Sequence, residues 1–135
     1  MSDQSVDTVR GMYDAFGQGD VNAILSALDE NIEWSVPENL PHGRKCHGRE
    51  EVGLFFQGIG EQWDGLDVEI EAIVGGGDHV VALANIHGRL RGSGQDAGYT
   101  AAHAWTLQNG APVRFDEYVN APLSLPTAPG AHASV

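Results

Sequence analysis

Two ionisable side chains, His103 and Glu117, stand in stretches that are otherwise small or apolar, AHAW and FDEYV. An imidazole changes charge near neutral pH, and a carboxylate beside it can take or return a proton. Together they could run general acid/base chemistry on one small molecule, with no cofactor and no metal. The bland alternative is that they hydrogen-bond each other and fill a pocket that binds without reacting. The residue types leave both open.

Whether the two meet depends on one hairpin. Asn109 and Gly110 lie between two runs of alternating character within residues 99–120 and suit the left-handed backbone of a tight reversal. A two-residue turn would pair Gln108 with Ala111 and set His103 and Trp105 on one face with Arg114, Asp116 and Tyr118, mixing charge into the apolar side. A three-residue loop over 108–110 would pair Leu107 with Ala111 and separate the faces. Tyr99, His103, Trp105, Leu107, Val113, Phe115, Glu117 and Val119 would then point one way, and Ala102, Ala104, Thr106, Arg114, Asp116 and Tyr118 the other. A one-residue slip turns every side chain over, so the segregating three-residue loop is expected. It sets Glu117 diagonally across from His103, about 7 to 8 Å away between backbones.

Aromatic residues supply candidate walls for a small hydrophobic ligand. Tyr13, Phe16, Trp34, Phe56 and Trp63 are expected to contribute from the first half of the chain. Tyr99, Trp105, Phe115 and Val119 are expected from the hairpin. His42, Cys46 and His47 are the one cluster of metal-ligand types, but Arg44, Lys45 and Arg49 beside them would repel a cation, and no metal site is expected. That basic patch could instead gate a pocket mouth for an acidic substrate group. His87 and Arg89 share a strand face whose direction the pattern leaves open. The run GGGD at 75–78 reads as a hairpin turn, since no helix follows it as a phosphate loop requires.

The elements that must position these residues follow from periodicity. Residues 5–16 carry Val6, Val9, Met12, Tyr13 and Phe16 at helical spacing, closed by Gly17 and Gly19. Asp20 caps a shorter helix through Ile24 and Leu28. Ile32, Trp34 and Val36 alternate as a strand ended by Pro37, residues 38–47 read as an exposed polar loop, and residues 49–58 form a third helix. Residues 66–74 and 79–90 alternate as strands, and the hairpin completes a four-strand meander. Helices grouped before an antiparallel sheet define an α+β arrangement with helices on one sheet face.

The chain has 135 residues, enough for one domain over 1–120 followed by an Ala/Pro-rich tail, 121–135. A net charge of −12 argues against nucleic acid and anionic membranes as partners. Cys46 is the single cysteine, and neither a secretory leader nor a membrane-spanning run is visible, so a cytoplasmic protein is expected.

The order of these elements, with the phrases MYDAFGQGDVNAILSALDENIEWSVPE, CHGREEVGLFF, GGDHVVAL and HAWTLQNGAPVRFDEYVN, resembles the SnoaL-like polyketide cyclase and ketosteroid isomerase-related branch of the nuclear transport factor 2-like superfamily. The resemblance covers about residues 5–120. It implies a cone, a curved antiparallel sheet wrapped around the N-terminal helices with a pocket between. It also implies a homodimer through the sheet's outer face. In ketosteroid isomerases the catalytic tyrosine, base and strand aspartate would fall on Met12, on Ser35 or Val36, and on His103, all different, so that mechanism is not implied. Tyr13 lies one residue from the tyrosine position. In aldol-type cyclases a strand histidine and a last-strand acid flank the carbonyl; the matching positions are His103 and Glu117, with Glu in place of the usual Asp. The Asp-Arg-Asp set of the epoxide hydrolase relatives has no equivalent. Three readings follow: a cofactor-free isomerase or cyclase, a non-catalytic binder of a small hydrophobic molecule, and a dimeric scaffold.

Overall fold

The computed structural model describes residues 2–120; the tail read at 121–135 lies outside the described residues. Helix α1, Ser2–Gly17, buries Val9, Met12 and Ala15, the stripe that its 3.6-residue period predicts. Gly19, at φ 73°, lets the chain turn back so that the Asp20 amide reaches the Ala15 carbonyl. Asp20 then caps α2, Val21–Ala27, its carboxylate accepting from the Ala23 amide at 3.1 Å. Helix α3, Arg49–Gln62, turns Val52 and Phe55 inward.

The strands are β1, Glu33–Ser35; β2, Lys45–His47; β3, Trp63–Gly76; β4, His79–Leu90; β5, Asp96–Gln108; and β6, Ala111–Asn120. They form one curved six-stranded sheet in the order β2-β1-β6-β5-β4-β3. Every pairing is antiparallel except β1 with β6, which run parallel and set Trp34 opposite Phe115. The fold is thus the expected α+β wrap of sheet around helices, with a mixed rather than purely antiparallel sheet.

Part of the exposed loop expected over 38–47 is structured. Its last residues are β2, paired with β1, and Leu40 and His42 are buried. Leu40 accounts for this local inversion: an apolar anchor pulls the polar segment inward. On β4, Val80, Ala82, Ala84 and Ile86 face the helices, so His87 and Arg89 face outward.

The hairpin departs from the expected loop. Asn109 and Gly110, at φ 52° and 83°, form a two-residue turn, and Gln108 pairs with Ala111. Unmodified, that turn would carry Arg114 and Asp116 to the apolar face. Instead Leu107 pairs with Pro112 and Thr106 with Arg114, leaving Val113 as an extra residue in β6. This bulge resets the alternation, so Phe115 and Glu117 point inward and Arg114 and Tyr118 outward. The face segregation argued from sequence holds, but a bulge produces it rather than a longer loop. Pro112 takes the inward place expected of Val113. Glu117 consequently lies directly opposite His103, not diagonal to it.

Candidate active site

Helix α1 and strands β5 and β6 converge on one polar cluster. His103 and Glu117, both buried, are joined by Nε2 and Oε2 at 2.8 Å. Tyr13, from the helix, places its hydroxyl 2.6 Å from the other ring nitrogen, Nδ1. The Trp105 indole donates to the Tyr13 hydroxyl oxygen at 3.1 Å. Directions follow from donor capacity. An indole N–H can only donate and a carboxylate can only accept, so the proton on Nε2 points at Glu117. With its one ring proton on Nε2, the imidazole accepts on Nδ1 from the Tyr13 hydroxyl. The relay runs Trp105 to Tyr13 to His103 to Glu117.

Burial of this pair is costly. Taking two charged or chargeable groups from water costs several kcal/mol, and apolar residues of similar volume would serve stability about as well. The surroundings are strongly apolar: the Trp34 and Phe115 rings stand 4.2 Å apart between centroids, and Trp105 and Phe115 4.6 Å. Burial raises the Tyr13 phenol; the Trp105 hydrogen bond offsets part of this, and the Glu117 charge adds to it.

The cluster borders a cavity of about 70 Å³. Tyr13 and Phe16 reach it from α1, Trp34 from β1 and Phe56 from α3. Tyr99, His103 and Trp105 reach it from β5, and Phe115 and Glu117 from β6. Two residues expected there do not line it. Trp63 is buried behind His42 at the start of β3, and its indole donates to His42 Nδ1 at 3.0 Å. Val119 packs two residues past Glu117 against the core. The Glu117 Oε1 atom takes part in no hydrogen bond among the described residues and stands open to the cavity.

His42 is the functional candidate that sequence reasoning placed wrongly. It lines the cavity, with the Tyr99 hydroxyl 3.4 Å from its Nε2. Burial lowers its pKa, partly opposed by the Glu117 charge. Only Leu40, two residues earlier, signalled that this segment turns inward. The residues once grouped as metal-ligand types go to different places: Cys46 is buried opposite Trp34, and the exposed His47 is hydrogen-bonded to Glu33. Phe16, Leu66 and Val68 border both the cavity and a surface depression flanked by Asp67, Glu69 and His87. Arg44, Lys45 and Arg49 of the basic loop are not among the residues lining that depression.

The SnoaL-like domain model matches residues 9–115, and the chain belongs to that family. No curated protein matches it. Among solved structures, an NTF2-like protein of unknown function from Burkholderia pseudomallei is 25% identical, with TM-score 0.81 over 89% of this chain and 92% of that one. A candidate SnoaL-like polyketide cyclase from Jannaschia is 22% identical, with TM-score 0.78 over 89% and 88%. An LEH-like epoxide hydrolase from M. tuberculosis shares the fold at 12% identity, TM-score 0.73 over 88% and 84%. The buried polar or charged side chains among the described residues are His42, His103 and Glu117. No helix among the described residues is long and apolar enough to cross a membrane.

Proposed function

We propose that this SnoaL-like chain is a cofactor-free isomerase or cyclase acting on a small hydrophobic carbonyl compound. The observation that carries the reading is the buried Tyr13, His103 and Glu117 relay bordering an apolar cavity. Glu117 Oε1 is the base, taking a proton from a carbon next to the carbonyl. His103 holds the carboxylate through Nε2. The enolate oxygen that forms accepts the Tyr13 hydroxyl proton as a hydrogen bond, once that hydroxyl turns from Nδ1. The proton on Glu117 then returns to another atom of the same molecule, so no co-reactant is consumed.

A non-catalytic binder is the second reading, favoured by the way His103 and Glu117 satisfy each other at 2.8 Å. The test is to identify the small molecule retained on purification by mass spectrometry, then follow its solvent deuterium exchange in wild type and Glu117→Gln. Exchange seen in wild type and lost in Glu117→Gln with binding retained supports catalysis; a ligand bound by wild type with no exchange above the protein-free rate supports the binder.

The outer sheet face supports a homodimer. Val74, Val81 and Leu83 are exposed there beside Ala102, Ala104 and Tyr118. Small residues allow close approach and the larger ones supply apolar area. Arg114 and Asp116 pair with each other within the chain, at 2.7 Å, leaving the apolar residues to carry that contact. The net charge of −12 favours neither nucleic acid nor an anionic membrane as partner, and the lone Cys46 suits the cytoplasm.

A further inference from the structure

The cavity has a second polar end. Its direction follows from donor capacity, as at His103. The Trp63 indole only donates, so His42 Nδ1 accepts. A neutral His42 therefore carries its proton on Nε2 and presents it to the Tyr99 hydroxyl oxygen. The Tyr99 proton is left with no acceptor among the described residues, although the side chain is buried and lines the cavity. Burial and the Glu117 charge both keep that phenol protonated, hence a donor. At 3.4 Å the His42 contact is long, so the hydroxyl is free to turn. The cavity lining holds another unspent donor, the buried indole N–H of Trp34, which has no hydrogen-bond partner among the described residues. Tyr99 precedes His103 by four residues on the same face of β5 and meets His42 rather than Tyr13, so the two ends are distinct.

We propose that Tyr99, oriented by His42 and Trp63, is a second donor to the ligand, which is therefore an apolar body with an acceptor oxygen at each of two ends. This rests on the reading that the cavity takes a carbonyl compound. One oxygen meets Tyr13 beside His103, and the other meets Tyr99. A monoketone would leave the Tyr99 proton unpaired, whereas a diketone or keto-ether would satisfy both. Tyr99 acts on the ligand directly. His42 is a positioning residue that fixes which lone pair of the Tyr99 oxygen is occupied.

The test uses two matched probe pairs, cyclohexanone with cyclohexane-1,4-dione and 2-decalone with decalin-2,6-dione. Binding is followed by the fluorescence of the cavity tryptophans. At least one dione should bind about 3- to 10-fold more tightly than its monoketone, the worth of one added hydrogen bond. Tyr99→Phe, which removes a single oxygen, should erase that advantage and leave monoketone affinity within about twofold. A separate readout is the ¹⁵N spectrum of His42, which should show an unprotonated Nδ1. Diones no better than monoketones on both frames, an advantage that survives Tyr99→Phe, or a protonated Nδ1 would each overturn the proposal. If monoketones bind without dione preference, only the second donor falls. If none of the four probes binds, the carbonyl-cavity reading falls and takes this one with it.

Discussion

The Tyr13 hydroxyl and His103 Nδ1, 2.6 Å apart, tie the first helix to the middle of the sheet through one hydrogen bond. Trp105 already donates into that hydroxyl, so Tyr13 has a single proton to give. It can serve His103 or a ligand oxygen, but not both at once. Donation to a ligand oxygen would therefore require the hydroxyl to rotate away from Nδ1.

Glu117→Gln should lower turnover by about 10² to 10⁴, the usual worth of a positioned acid or base, and His103→Gln, which removes only the group that holds that carboxylate, by less. Ligand affinity should change far less, because apolar walls such as Trp34 and Phe115 supply most of the binding. A chelator should leave turnover unchanged. Steady-state kinetics beside direct titration of the ligand separates these effects.

Acid should weaken the fold through His42. Its folded pKa lies below the ordinary histidine value of 6.5 because of burial, with the Glu117 charge pulling the other way. The unfolded chain thus binds the proton first as pH falls, so the contribution is complete above about pH 6.5 and lost below it. The slope cannot exceed about 1.4 kcal/mol per pH unit for one proton. Urea midpoints between about pH 7 and 5 should fall more steeply for wild type than for His42→Gln. Parallel curves would mean that His42 is not desolvated.

Alkali acts on the two buried phenols with the opposite sign. Burial, the larger cause, and the Glu117 charge raise Tyr13 and Tyr99 above the ordinary tyrosine value of 10.0. Their contribution is full below about pH 10 and lost as pH climbs beyond it. Phenolate absorbance should show two of the three tyrosines silent until the near-ultraviolet circular dichroism collapses. Ionisation of all three before that collapse would contradict the burial of Tyr13 and Tyr99.

Leu83→Glu, at a position 47% exposed on the outer face, should convert a dimer to monomer without altering ligand binding. Light scattering at micromolar concentration reads the mass directly. A wild-type monomer would remove the proposed interface.

Much of this architecture could be read in the chain because apolar spacing is a direct record of which face is buried. The α1 stripe, the alternation in β4 and β5, and the shared face of His103 and Glu117 all follow from it. What spacing does not record is the backbone device that preserves a face. The cost of turning Arg114 inward was visible, but a two-residue turn followed by the Val113 bulge meets the same condition as a longer loop. His42 was hidden because one buried histidine in a polar loop leaves no period. Trp63 was misplaced because a core tryptophan and a cavity tryptophan have the same residue type and differ only in which neighbour takes the indole proton.

The parallel contact of β1 with β6 also governs when the protein can fold. Trp34 and Phe115 are about 80 residues apart in sequence, and closing so long a loop precedes any reward from the contact. During synthesis β1 and β2 can pair only with each other until β6 has left the ribosome. Tyr13 meets His103 and Glu117 only after that event. A chain halted before β6 therefore has helices and a partial sheet but lacks the joined Tyr13, His103 and Glu117 cluster, which exists only in finished molecules.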